Sequence, residues 1–357
     1  TMVVLAVFGL VMIYPATRSS GTFSMERQMI FVAAGIVLYL VASMIDYREY
    51  RARIPYIYGA IVVLLIAVFF FPERNGARRW IELGPVDLQP AELAKIVVVL
   101  GLASILSPQN RDDFRPDLTW PKIGLVILTV AVPAGLIYQQ PDLGTMLVFV
   151  FVMMAMLFAA GASWRQLLTL VGAGTAITIA LFRMGAIADY QLNRIRVLVD
   201  PTVDPQGIGY NLAQSKLAIG SGQLLGRGLF KGTQTNFHYV PEQETDFIFT
   251  AVAEQLGFVG GVVVLLAYMI LMWRILVVAA NARDRFGAMV AIGVAATFMF
   301  HIFINIGMTM GITPVTGLPL PFLSLGGSAF MSLAYALGIV NSIWLRRSPV
   351  PGEQYVV

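Results

Sequence analysis

Asp246 is the carboxylate best placed for acid–base work in this chain. It follows Glu242, Gln243, Glu244 and Thr245 and opens a long apolar run. Unpaired N–H groups and the macrodipole at a helix start favour an ionised carboxylate. Burial and neighbouring carboxylates oppose it. A group held between these influences can act as a general base, although Asp is also an ordinary helix cap.

Other charges accompany it. Glu254 lies eight residues further along the same run, about 12 Å deeper on a helix axis, and needs a partner or a cavity there. Glu92 and Lys95 share a helical face at i, i+3. A mutual pair, or a tie between helices, is the plain alternative for these residues. Asp142 stands in Gln140-Pro141-Asp142-Leu143-Gly144-Thr145, a tight turn before another apolar run, where capping is again the simple reading. The cations of the polar stretch 184–246 are Arg194, Arg196, Lys216, Arg227 and Lys231, with Arg78 and Arg79 elsewhere beside Trp80. Guanidinium forks and ammonium groups suit diphosphate oxygens, and Arg194, Arg196 and Lys216 are the first candidates. Attraction to lipid headgroups is the competing explanation. Trp80 serves either as an interfacial anchor or as a platform beside a sugar.

The elements that must hold these groups are membrane helices. Of 357 residues 58% are hydrophobic and only 12% charged, against roughly 25% charged in soluble domains. A bilayer core needs about 20 apolar residues per helix. Ten stretches are candidates by that measure, near 2–16, 28–46, 54–71, 91–107, 121–139, 145–161, 165–183, 247–273, 286–308 and 327–345. The first, which has no cleavage-site pattern, reads as a trimmed span rather than a signal peptide. The expectation is an all-α polytopic membrane protein: one domain, a bundle of about ten transmembrane helices, with a long extracytoplasmic loop 184–246 between the seventh and eighth. The connector 308–326, uncharged but rich in Pro and Gly, is expected to dip back into the protein.

Basic residues set the orientation. With both termini cytoplasmic, the short inner segments hold twelve: Arg48, Arg51, Arg53, Arg111, Arg115, Lys122, Arg165, Arg274, Arg283, Arg285, Arg346 and Arg347. The short outer ones hold five: Arg18, Arg27, Arg74, Arg78 and Arg79. Asp246 is therefore expected outside, where nucleotides are not normally available and a substrate must carry its own activation, as a lipid-linked diphosphate does. There is no P-loop or dinucleotide fingerprint; the glycines from Gly220 follow no strand. Cysteine is absent and histidine is limited to His238 and His301. That excludes disulfides, a cysteine nucleophile and a histidine-rich metal site. His301, on an apolar span, reads as a helix-packing donor, and His238 has no ligand partner near it.

Taken in order, these motifs resemble the SEDS family over most of the chain. The matching residues are Arg79-Trp80-Ile81, Gln89-Pro90-Ala91-Glu92-Leu93-Ala94-Lys95, Gln140 to Thr145, Asp200-Pro201, Gly209-Tyr210-Asn211 and Gln214-Ser215. They continue with Gly232-Thr233-Gln234, Pro241-Glu242, Thr245-Asp246-Phe247-Ile248-Phe249, Pro314 to Phe322 and Ser324 to Ser328. Gly-Thr-Gln ahead of Pro-Glu is more like the elongation branch than the division branch. Ala91 stands where Ser is common and Glu244 where His is common; neither removes a catalytic group.

The resemblance implies a ten-span peptidoglycan glycosyltransferase of the bacterial cytoplasmic membrane. It would polymerise lipid II, an undecaprenyl-diphosphate-linked disaccharide peptide, beside a class B penicillin-binding protein and other elongation-complex membrane proteins, with no nucleic acid. The family's essential aspartate aligns with Asp246. Trp80, Arg79, Glu92, Lys95, Asp142, Arg194, Arg196, Lys216, Glu242, Thr245 and Ser324 are the expected substrate-binding residues. The resemblance leaves room for a divalent cation, Mg or Mn, but no ligand spacing requires one. The rival readings are a flippase or transporter for lipid-linked precursors and a scaffold for the transpeptidase. Against transport, no inverted repeat is visible, and the acidic cluster sits at the outer edge rather than mid-bilayer.

Overall fold

The computed structural model describes residues 1–17, 22–73, 76–83, 86–107, 118–185, 188–237 and 239–347. His238, Arg18, Arg74, Arg111 and Arg115 lie outside the described residues. Ten long helices stand at the ten expected places. They are α1 (Met2–Thr17), α2 (Thr22–Met44), α3 (Tyr47–Ala67), α4 (Pro90–Leu106), α5 (Trp120–Gln139), α6 (Leu143–Ala159), α7 (Trp164–Arg183), α11 (Ile248–Ala280), α12 (Arg285–Met310) and α13 (Gly327–Leu345). Seven of them are long and apolar enough to cross a membrane; α1, α4 and α6 are shorter, at 16, 17 and 17 residues.

Local chemistry starts and stops these helices. Asp46, Asp142 and Asp284 each accept a backbone N–H of the helix they precede, filling one of its orphan donors. Ser163 and Gln166 form a capping box ahead of α7. Gly311, at φ 72°, closes α12, a left-handed position that costs glycine nothing.

Burial orders the bundle. Helix α12 sits in the middle, packed against α4, α6, α11 and α13. Both α4 and α12 are buried along most of their length, as helices apolar all round should be. In contrast α7 buries only Leu167 and turns Leu168, Val171, Ile177, Ile179 and Phe182 outward. An exposed apolar face of that extent suits lipid rather than water.

Two stretches depart from simple spans. The connector between α12 and α13 does run inside the protein, with Leu318, Leu320, Phe322 and Leu323 buried. Its carbonyls are met by side chains: Tyr268 Oη donates to Pro321 O at 2.6 Å and Asn305 Nδ2 to Leu318 O at 2.7 Å. Irregular backbone at membrane depth survives only when paired in this way.

The second departure is a break inside α11, where Gly257 takes φ 67° and ψ −162°. The segment 223–228 fills the break. Phe258 N and Val259 N donate to Gln223 O and Leu224 O at 2.8 and 3.1 Å, while Arg227 N and Gly228 N donate to Glu254 O and Gln255 O at 2.9 and 3.0 Å. Residues 184–246, the expected long loop, carry three helices of their own: α8 (Asp189–Val199), α9 (Ile208–Ser221) and α10 (Thr233–Asn236). A short antiparallel pair, β1 (Ile81–Leu83) and β2 (Val86–Leu88), precedes α4.

Candidate active site

Asp246 lies at the end of the bundle where α4, α6, α11 and α13 begin and α12 finishes. Its backbone belongs to a tight turn, in which the amides of Thr245, Asp246 and Phe247 all approach Glu242 O at 3.0–3.3 Å. Glu242 takes φ 52°, a left-handed conformation that costs a non-glycine residue ~1–2 kcal/mol and is held by these contacts. Thr245 Oγ1 donates to Glu242 Oε2 at 3.1 Å. Leu325 N donates to Glu244 O at 2.7 Å, tying the turn to the connector.

Below the turn lies a buried polar network. Gln243 Nε2 donates to Thr250 Oγ1 at 2.8 Å and to Thr235 Oγ1 at 3.2 Å. Thr235 Oγ1 in turn donates to Glu254 Oε2 at 2.6 Å. Glu254 also accepts Gln234 N at 2.7 Å and Thr235 N at 2.9 Å, capping α10. Its role is therefore the structural tie, the plainer of its two readings.

The Asp246 carboxyl remains partly exposed. Burial, then Glu242, push its pKa up to about 7; Arg194 pulls it down, Asp142 raises it and Arg79 lowers it. These are carboxylates and guanidiniums from four separate segments, gathered round one group. Asp142 caps α6 through Thr145 N at 3.1 Å, and its Oδ2 accepts Thr145 Oγ1 at 3.0 Å and Gln89 Nε2 at 3.4 Å. Arg79 Nε donates to Gln140 O at 2.8 Å and its Nη2 to Pro141 O, so it braces the Asp142 turn. Arg194 Nη1 donates to Val315 O at 2.8 Å. Its Nε is buried with no hydrogen-bond partner among the described residues. Burial and Arg79 lower the Arg194 pKa. A partly desolvated guanidinium of this kind supplies the positive charge that phosphate oxygens favour.

The remaining expected residues lie elsewhere. Lys95 Nζ donates to Glu92 Oε1 at 2.8 Å and contacts His301 Nε2 at 3.0 Å; Ser332 Oγ donates to Glu92 Oε2 at 3.1 Å. All four side chains are buried, so Glu92 and Lys95 form a tie between α4, α12 and α13. Arg196 donates to Asn193 on the exposed side of α8. Lys216 is exposed and lies over Gly311. Arg227 Nε donates to Ser221 O at 2.8 Å. Ser324 is buried and accepts Leu320 N at 2.8 Å. Trp80 is partly exposed beside Arg79.

Sequence reasoning passed over Gln243, Asn305 and Gly317. The signal for the first and second was a neutral amide at a charged helix mouth or in an apolar run. Gly317, at φ 76°, backs directly onto Asp246: a Cβ there would lie 3.3 Å from Oδ2.

A divalent cation is a weak match to these groups. No cluster of three or more His, Cys, Asp or Glu among the described residues is placed to hold one. Asp142 is already engaged by three donors, and two guanidiniums share the space.

Fold and site together define a polytopic helical membrane protein with a recessed acidic group at one end of its bundle. The FtsW/RodA/SpoVE model, described as a cell cycle protein, matches residues 1–348, and the chain belongs to that family. It is 41% identical over 327 residues to the peptidoglycan glycosyltransferase MrdB of Escherichia coli K12, covering 90% of this chain and 86% of that one. It is 32% identical over 422 residues to the peptidoglycan glycosyltransferase RodA of Treponema pallidum, covering 97% and 96%. Among solved structures, one described as "Structural coordination of polymerization and crosslinking by a peptidoglycan synthase complex" superposes with TM-score 0.83 at 30% identity, covering 97% of this chain and 96% of the other. The rod shape determining protein RodA of Thermus thermophilus superposes with TM-score 0.71 at 28% identity, covering 98% and 96%.

Proposed function

We infer that the chain is a peptidoglycan glycosyltransferase, the activity for which its relatives are named, and that Asp246 is its general base. The observation that carries this reading is a partly exposed carboxyl, raised to about 7, facing Arg194 and Arg79. In this mechanism Asp246 takes the proton of the acceptor sugar's 4-hydroxyl as that oxygen attacks the donor's anomeric carbon. The new C–O bond forms with inversion. The anomeric C–O bond to the lipid diphosphate breaks, and its electron pair leaves with the diphosphate. General-base assistance of this kind is worth ~10²–10⁴-fold.

Arg194 is the principal diphosphate ligand, through its charge. Glu242, Thr245 and Trp80 line the sugar side. Arg79 and Asp142 act through the turn they brace, Arg196 and Lys216 are the outer candidates, and buried Ser324 acts through the connector backbone it holds. The substrate is lipid II. The site faces the exterior and both termini are cytoplasmic, as the balance of basic residues implies. A class B penicillin-binding protein supplies cross-linking, beside other elongation-complex membrane proteins. No observation favours transport, and the acidic cluster at one end of the bundle disfavours it.

The test is polymerisation of lipid II by purified protein in detergent, with and without the transpeptidase. Polymer that vanishes in Asp246→Ala supports the assignment, and polymer that persists refutes it. Lipid scrambling without polymer would instead favour the flippase. Full cellular function from an Asp246→Ala variant that still binds the transpeptidase would favour the scaffold.

A further inference from the structure

Asp246 projects from backbone that no helix holds, since α11 begins only at Ile248. Besides the bonds within its own turn and from Leu325, one buried side-chain amide holds that backbone. Asn305, on α12, is 0% exposed; its Nδ2 donates to Asp246 O at 2.8 Å and to Leu318 O at 2.7 Å. Leu318 directly follows Gly317, whose backbone walls the carboxyl. One amide nitrogen therefore spans the two chain segments between which the side chain is recessed. One turn earlier on α12, His301 Nδ1 contacts Pro319 O at 3.1 Å, while its Nε2 faces Lys95 Nζ at 3.0 Å. An ammonium can only donate, so Nε2 accepts and Nδ1–H donates to the carbonyl. Helix α12 grips the connector at successive residues, and at Leu318 it grips the Asp246 segment as well.

We propose that Asn305 is a positioning residue for the glycosyl transfer, clamping the Asp246 and Gly317–Leu318 backbones together so that the carboxylate stays recessed beside Arg194. The inference rests on Asp246 being the base. Being uncharged, the amide fixes position without adding a field of its own. The groups facing Asp246 are Glu242 in its own turn, Arg194 on α8, Asp142 before α6 and Arg79 before β1. Opening the clamp leaves these charges in place but admits water. Desolvation then weakens, and the acidic limb of the pH–rate profile moves to lower pH. A variant that merely weakened the fold would reduce the amount of active enzyme and leave that limb where it was.

The experiment compares wild type, Asn305→Ala, Asn305→Asp and Asp246→Ala as full chains in detergent, with lipid II as substrate and with kcat, KM and the pH profile as readouts. For Asn305→Ala the expected result is a kcat lower by ~10-fold or more, a smaller change in KM, and an acidic limb displaced downward. Asn305→Asp keeps the volume. Its protonated form can still donate to one carbonyl and its ionised form to neither, so its activity falls with rising pH where the wild type's climbs. Should Asn305→Ala not be recovered folded, the Asn305→Asp profile decides alone. A wild-type profile in either variant, or a lower rate with an unmoved limb, overturns the proposal while leaving the base assignment intact. Polymer from Asp246→Ala would instead overturn the base assignment itself.

Discussion

The protonation of Asp246 offers a direct test of the site. A general base works only when ionised, and this carboxyl is raised to about 7. One pH unit below that value about a tenth of molecules are ionised and one unit above about nine-tenths, so kcat should climb roughly tenfold between pH 6 and 8. The neighbours then move the limb in opposite directions. Glu242→Gln removes a negative charge that raises the group, so the limb shifts to lower pH; Arg194→Gln removes a cation that lowers it, so the limb shifts to higher pH.

The same environment has a stability consequence. The folded pKa lies above the ordinary value of 3.8, so the native state holds this proton more tightly than the unfolded chain. Stability from this group is present below about 4 and is lost as pH rises towards about 7. The loss has an upper bound of ~4 kcal/mol, reduced by the group's residual exposure. Asp246→Asn should therefore melt above wild type at pH 8 and close to it at pH 4. Initial rates of labelled lipid II polymerisation at saturating substrate, with melting curves in the same buffers, check both. A flat rate profile, or two variants that shift the limb in the same direction, would refute the reasoning.

Three further outcomes are expected. Arg194→Lys should raise the KM for lipid II rather than restore wild-type behaviour, because a point charge cannot replace a fork already committed to Val315 O; steady-state kinetics decide it. Lys95→Met should cost ~3–5 kcal/mol by leaving Glu92 buried and uncompensated, with much of the loss recovered in a Glu92→Gln/Lys95→Met double variant. Recovery of polymerisation as well as melting temperature in that double variant would confirm a tie rather than a substrate contact. Gly257→Ala should cost ~2–5 kcal/mol, since a side chain there is strained by φ 67° and would meet Gly226 N at 2.3 Å; thermal unfolding in detergent measures it.

The ten long helices were legible because each apolar stretch is bounded by charge or turn residues, and every one became a helix, seven of them long and apolar enough to cross a membrane. The returning connector was legible too, from its Pro and Gly and its lack of charge. The break at Gly257 was not. Gln255-Leu256-Gly257-Phe258-Val259 reads as uninterrupted span, and the backbone that satisfies the break comes from residues more than twenty positions earlier. Helices α8 to α10 were hidden by polar composition, since short amphipathic segments carry little periodic signal.

At the site, charge pointed to Asp246, Asp142, Arg79 and Arg194 as separate suspects. Their convergence is tertiary and could not be read from spacing. Glu92 and Lys95 show the converse: a conspicuous intramembrane pair that the fold joins to His301 and Ser332 rather than to the Asp246 cluster. Asn305 drew no notice because a neutral amide shifts neither charge nor hydropathy much.

The interruption at Gly257 changes what α11 is mechanically. Its opening turns are stitched to segment 223–228 by four backbone hydrogen bonds that stand in for the helical ones lost at one glycine. The polar stretch 223–228 is thereby joined by main-chain bonds to the turns that lead up to Asp246, so a substitution there reaches the acidic turn through backbone rather than side-chain packing.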